Sequence, residues 1–137
     1  MNYSGLLCAA VLLSLAGCEQ SASSSGGISA EIPDPNALKG GFRATGNEPG
    51  WIVEVGMGET PPLHVEMNYG QQKTEVTRSE STPDGFFGNA ADGTEVQVLI
   101  DRSTCTDDMS GRKFETTVLL KVGDRDYHGC GQWTVAH

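Results

Sequence analysis

The stretch that decides the fold is Trp51-Ile52-Val53-Glu54-Val55. In an extended chain Trp51, Val53 and Val55 fall on one face, and Glu54 falls on the other. A period of two is typical of a β-strand that buries one face and leaves the other in water. We therefore predict a half-buried strand over 51–55, with Glu54 facing solvent.

The same alternation recurs further along the chain. Apolar residues occupy every second position over 95–100, and a longer row of the same kind runs from Phe114 to Val122. Weaker candidate strands are 41–45, 62–69, 72–80, 85–90 and 126–135. A sustained helical period is missing from the sequence. About eight short antiparallel strands predict an all-β domain, and we expect a small antiparallel barrel, because closure removes exposed edges.

Turn residues separate these segments. The sequence holds 18 Gly and 6 Pro without a repeat, which is typical of many tight turns. Pro49-Gly50 suits a type II turn, because Pro fixes φ at the first central position and Gly accepts a positive φ at the second.

Length and charge limit the possible functions. The 137 residues suffice for one domain and a short tether. A formal charge of −9 excludes a nucleic-acid partner, since the phosphate backbone would be repelled. The acidity favours encounters with a cationic partner, although it also serves solubility.

The first residues carry the signs of export. Leu6 to Gly17 is an apolar run too short to span a bilayer but suited to a signal peptide. Leu15-Ala16-Gly17-Cys18 resembles the bacterial lipobox, which implies cleavage before a lipidated Cys18; the alternative is an ordinary secretory leader. We expect a lipoprotein signal peptide over 1–17, lipidated Cys18 with a flexible tether over 18–39, and a β-barrel domain over 40–137. Such a protein would be held by its lipid anchor at the periplasmic side of the inner or outer membrane of the cell envelope.

Two of the four cysteines remain in the exported domain. Because Cys8 leaves with the leader and Cys18 takes lipid, we predict a disulfide between Cys105 and Cys130. The alternative is a redox or metal pair near His128, but a Cys-x-x-Cys spacing is missing. Gly129 and Gly131 are expected to permit close backbone approach at the disulfide.

The sequence offers little for catalysis. None of the three histidines stands in a recognisable setting for nucleophilic catalysis, and Ser110 does not lie in a nucleophile elbow. Asp107-Asp108 is more typical of a solvated turn than of a metal site or an acid–base pair. We therefore expect a protein that is not an enzyme and that uses no metal or cofactor. Trp51 and Trp133 are interpreted as core residues rather than the lining of a ligand pocket.

Three separated blocks occur in order at 42–51 (FRATGNEPGW), 105–111 (CTDDMSG) and 127–131 (YHGCG). Together they resemble a family of uncharacterised bacterial lipoproteins, and the resemblance spans about residues 42–133. It implies an envelope lipoprotein and carries no established activity. Our first expectation is therefore a non-enzymatic binding domain of unknown ligand.

A second resemblance concerns Ser110-Gly111-Arg112-Lys113-Phe114. This segment is similar to the Ser-Gly-x-basic-aromatic segment of membrane-bound inhibitors of C-type lysozyme, which are small lipid-anchored β-barrels with a disulfide. It implies that the loop over 105–114 enters the lysozyme cleft, with Ser110 and either Arg112 or Lys113 beside the catalytic carboxylates. Small-molecule binding inside the barrel is the further alternative.

Overall fold

The computed structural model describes residue 38 and residues 40–134. The expected signal peptide, Cys18, the expected tether apart from Leu38, and the last three residues lie outside the described residues. Leu38, which we assigned to the tether, is buried against the core. All regular structure in the described part is β-strand, which confirms the all-β class. A helix able to cross a membrane is not found among the described residues.

Within the described part the strands are β1 Gly40–Asn47, β2 Gly50–Met57, β3 Leu63–Met67, β4 Gln72–Val76, β5 Glu80–Thr82, β6 Gly85–Asn89, β7 Glu95–Asp101, β8 Cys105–Thr106, β9 Lys113–Phe114, β10 Thr116–Val122 and β11 Arg125–Trp133. Nine of them form an antiparallel sheet in the order β4-β3-β2-β1-β11-β10-β7-β6-β5, and β8 pairs with β9 as a separate hairpin. β11 lies at the centre, paired with β1 on one side and with β10 on the other.

The sheet curls into a half-barrel and stays open between β4 and β5, where we had expected closure. The reason lies in β4, which is exposed or half-buried at every position except Val76 and offers little apolar surface to a further strand. Neighbouring segments protect the edges instead. The Leu38 amide donates to the Thr82 carbonyl at 3.2 Å, and the Ser79 amide donates to the Pro61 carbonyl at 3.0 Å.

The core lies on the inner face of the curled sheet, as the alternation predicts. Trp51, Val53 and Val55 are buried and Glu54 is exposed. Trp51 is thereby confirmed as a core residue, and Trp133 packs against the core edge-to-face with Phe42, with ring centroids 4.8 Å apart.

The prediction of close backbone approach holds at Gly129 and is corrected at Gly131. A Cβ on Gly129 would lie 2.0 Å from the Thr45 carbonyl oxygen and 2.6 Å from the Trp51 ring. A Cβ on Gly131 would lie 2.3 Å from the Phe42 ring. Gly129 therefore permits close approach of the β1 backbone and the Trp51 ring, and Gly131 makes room for the Phe42 ring. Both contacts lie inside the sheet, on the face opposite the disulfide.

Two further expectations are corrected. The row from Phe114 to Val122 breaks at Glu115, so Phe114 belongs to the β8–β9 hairpin and only Thr116–Val122 joins the sheet. The β1–β2 turn places Pro49 second of the two central residues, since Asn47 pairs with Gly50, and the Glu48–Pro49 bond is cis. This is the arrangement of a type VI turn rather than type II.

Candidate partner-binding site

The predicted loop over 105–114 is a hairpin attached to the outer face of the sheet. Cys105 opens β8, and Cys130 lies in the middle of β11, where it pairs with Thr45 of β1 and Thr117 of β10. A disulfide joins the two cysteines with their Cα atoms 5.4 Å apart, which confirms the predicted pairing. The bond therefore fixes the base of the hairpin to β11, the central strand of the sheet.

Asp107 organises the tip of this hairpin. One of its carboxylate oxygens accepts from the Ser110 amide at 2.8 Å and from the Ser110 hydroxyl at 2.5 Å. The other oxygen accepts from the Asn47 side-chain amide at 2.6 Å. The Asp107 amide donates to the Arg112 carbonyl at 2.8 Å, which closes the turn. The tip is thus fixed both to itself and to the end of β1.

These contacts also set the charge of Asp107. Hydrogen bonds from the Ser110 hydroxyl and amide, followed by the bond from Asn47, lower the pKa of the Asp107 carboxyl below its ordinary value. The side chain is therefore ionised throughout the neutral range. Its adjacent partner in sequence, Asp108, is exposed.

The three residues predicted to contact a partner all lie at this tip, where they adopt different roles. The Ser110 hydroxyl donates to Asp107 and accepts from the Arg112 amide at 3.2 Å, so it shapes the turn. Arg112 is exposed and its guanidinium lies 5.2 Å from the centre of the Phe114 ring. Lys113 is also exposed, and Met109 at the same tip has 76% of its surface in solvent.

An open cleft of about 420 Å³ lies beneath the hairpin. Its walls come from the hairpin, from the β1–β2 turn and from β11, and they carry four carboxylates: Glu48, Asp107, Asp108 and Asp126. Among the described residues, clusters of three or more His, Cys, Asp or Glu arranged to hold a metal ion are not found.

A second cleft of about 430 Å³ adjoins the first on the outer face of β7, β10 and β11. Leu99 and Leu119 lie on its floor, and Thr117 and His128 line both clefts. Both clefts open on the outside of the sheet, while the inner face carries the packed side chains of the core.

Sequence reasoning did not find Asn47 or this apolar floor. The Asn47–Asp107 bond joins residues 60 positions apart, which local patterns do not reveal. Leu99 and Leu119 did leave a signal, because each is an apolar residue at a position where the alternation of its strand calls for a polar one.

We compared the chain with protein-family models, with curated proteins and with solved structures, and none of them matched.

Proposed function

We propose that this domain is the non-enzymatic, partner-binding part of a lipid-anchored envelope protein, and that it binds a cationic protein through the tip of the 105–114 hairpin. The observation that carries the proposal is the double attachment of the hairpin. The Cys105–Cys130 disulfide holds its base, and the Asp107 network holds its tip to Asn47.

Such a hairpin is suited to binding because its conformation is set before the partner arrives. Ordering a loop on binding costs conformational entropy, and a preorganised loop avoids most of that cost. The tip presents an exposed methionine, Met109, beside the exposed cations Arg112 and Lys113. A flexible apolar side chain next to an arginine is typical of the few residues that dominate interface energetics.

Charge argues for a cationic partner. The formal charge of −9 accelerates encounters with positively charged proteins, and salt would slow association by screening that field. Carboxylates in the cleft under the hairpin then lie beside the approaching surface.

C-type lysozyme is the specific candidate, because these enzymes are generally cationic and depend on catalytic carboxylates. In this proposal Arg112 or Lys113 pairs with a carboxylate in the lysozyme cleft, and Arg112 can do so through two parallel hydrogen bonds. Ser110 acts indirectly, since its hydroxyl is engaged with Asp107.

The test is lysis of Gram-positive cells by C-type lysozyme at low salt, with the protein at micromolar concentration. We expect wild type to slow lysis, and we expect Arg112→Ala or Lys113→Ala to weaken inhibition roughly thirtyfold or more, as for loss of a buried charge pair. Arg78→Ala is the control, because it removes the same charge from an exposed position away from the hairpin. An unchanged lysis rate with wild type would overturn the lysozyme proposal, and equal effects of all three variants would overturn the role of the tip.

The lipid anchor is tested separately. Cys18→Ala should abolish incorporation of labelled palmitate and release the protein from membranes, because the acylated side chain is lost. Cys8→Ala, which alters a cysteine inside the expected signal peptide, should leave both unchanged. Palmitate labelling that survives Cys18→Ala would overturn the lipoprotein assignment.

A further inference from the structure

The two clefts on the outer face form a continuous groove across three neighbouring strands. They meet at Thr117 of β10 and His128 of β11, which line both. The groove therefore runs from the outer face of β7 to the space under the hairpin. We call its two ends the leucine end and the acidic end.

The leucine end has an apolar floor set by strand register. Leu119 pairs with Leu99 of β7 on one side and with His128 of β11 on the other, so the three side chains form one row across the sheet. Both leucines are half-buried, on the face that the core does not use.

The acidic end has two carboxylates free to meet a ligand. Asp107 is engaged with Ser110 and Asn47, and Asp126 lies 3.4 Å from the Lys121 ammonium. Glu48 and Asp108 are exposed on the walls of the same cleft. Asp84 and Asp101, both exposed, line the leucine end as well, so charge complementarity calls for basic groups along the groove, one of them at Glu48 and Asp108.

Recognition in the groove must come from side chains. β10 lies between β7 and β11, so its backbone groups are already used by two ladders, and a ligand cannot dock there by adding a strand. A side chain laid over Leu99 and Leu119 would exclude water from an apolar surface, which is the contact that such a floor favours.

We propose that the groove binds a segment of the partner protein that carries an apolar side chain and, a few residues away, a basic one. The apolar side chain lies over Leu99 and Leu119, and the basic group lies between Glu48 and Asp108. This inference rests on the proposed function in that the ligand belongs to a cationic protein. It shares Asp108 with the hairpin, but its apolar contact is made by Leu99 and Leu119, which lie outside the hairpin.

The probe is a dye-labelled, end-capped hexapeptide of alternating leucine and lysine, titrated by fluorescence anisotropy against the full mature chain in zwitterionic lipid nanodiscs. Empty nanodiscs serve as the blank. Two matched peptides replace all lysines by glutamate or all leucines by serine. We expect binding of the first peptide and at least tenfold weaker binding of the other two, with affinity falling as salt rises.

Variants locate the site. Leu119→Ser should weaken binding at least about tenfold, as loss of one buried leucine contact does. Ile52→Ser is the control, because Ile52 is a half-buried apolar residue on the outer face of β2, away from the groove. Leu99→Ser provides a second variant of the floor in case Leu119→Ser unfolds, which thermal melting would reveal.

The outcomes separate this inference from the proposed function. Binding that survives Leu119→Ser and Leu99→Ser, or binding of the glutamate peptide with equal affinity, would overturn the groove site. Arg112→Ala should not weaken peptide binding, since Arg112 contributes to the proposed lysozyme contact but lines neither cleft. Peptide binding in the groove without any effect on lysozyme would support this inference while contradicting the lysozyme candidate.

Discussion

The outer face of the sheet has two halves that differ in what covers them. Across β1 to β4 the outer face carries Ile52 and several charged side chains that pair with one another: Arg43 lies 3.6 Å from Glu54, and Glu66 lies 3.1 Å from both His64 and Lys73. Across β7, β10 and β11 the same face carries Leu99 and Leu119, two clefts and the disulfide-bound hairpin. Because both halves share one inner core, the difference between them lies in the outer-face side chains and in the disulfide-bound hairpin.

In the half formed by β1 to β4, which we call the charged half, charged side chains already have ion-pair partners. Ion pairs between exposed side chains contribute little to stability, but they leave few groups that need a further partner. Charges on β4, including Lys73 and Glu75, also discourage another strand from pairing with that edge. The half formed by β7, β10 and β11, which we call the grooved half, has no ion pairs along the floor of Leu99 and Leu119 among the described residues. We therefore place the hairpin contact and the groove contact on this half.

The largest expected effect comes from removing the disulfide, which braces only the grooved half. Cys105→Ser with Cys130→Ser should lower the free energy of unfolding by roughly 3.5 kcal/mol in the chain-entropy estimate for a loop of this length. Urea denaturation measures that change. Hydrogen exchange should show loss of protection chiefly in β8 to β11.

Wild type under reducing conditions is the control for the disulfide variant and should behave in the same way. Equal loss of protection in β2, β3 and β4 would show that the brace serves the whole sheet, and the contrast between the two halves would then fail.

The next largest effect lies on the inner face beneath the hairpin. Gly129→Ala places a methyl group 2.0 Å from the Thr45 carbonyl oxygen, a backbone atom that cannot rotate away, and should cost about 1–3 kcal/mol of stability as overpacking does. Gln132→Ala is the control on the same strand, since Gln132 faces outward opposite Arg43, and should change stability by less than about 0.5 kcal/mol. Similar urea midpoints for both variants would refute the close approach of Gly129 to the Thr45 carbonyl.

Sequence alone recovered the parts of the fold in which local pattern and burial agree. Val96, Val98 and Ile100 alternate in sequence and are buried in the structure. β4 and β5 have weak sequence patterns because edge strands bury few side chains. The ends of these strands, and the opening of the sheet between them, could therefore not be predicted from the sequence. The turn at Pro49 was misread because its position depends on which residues of β1 and β2 pair.

The candidate site was predictable only where covalent chemistry limited the choices. The expected loss of Cys8 and lipidation of Cys18 left two cysteines and so predicted the Cys105–Cys130 bond, which located the hairpin. The role of Asp107 depends on Asn47, which the fold brings close from the other end of the domain. A carboxylate that looked like part of a solvated turn is therefore the residue that organises the tip.

The smallest expected effect belongs to the charged half and concerns pH. Both ring nitrogens of His64 lie against carboxylate oxygens, those of Glu75 and Glu66, and carboxylates only accept hydrogen bonds. The hydrogen bond to Glu66 is the main cause that raises the pKa of His64 above its ordinary value; partial burial opposes it and Glu75 adds to it. Glu54 faces His64 across the β2–β3 pair and Arg43 lies beyond Glu54.

Since the folded-state pKa of His64 is raised, its contribution to stability is complete below the ordinary histidine value of about 6.5 and is lost as pH rises through the raised value. Urea midpoints should therefore fall slightly between neutral and mildly alkaline pH in wild type, and His64→Gln should remove that decline. NMR titration of the imidazole checks the shift directly, and a pKa at or below 6.5 would contradict the double pairing. Peptide binding in the groove should be the same in His64→Gln as in wild type, because His64 lies on the other half of the outer face. A change in that affinity would mean that the two halves are coupled through the shared sheet.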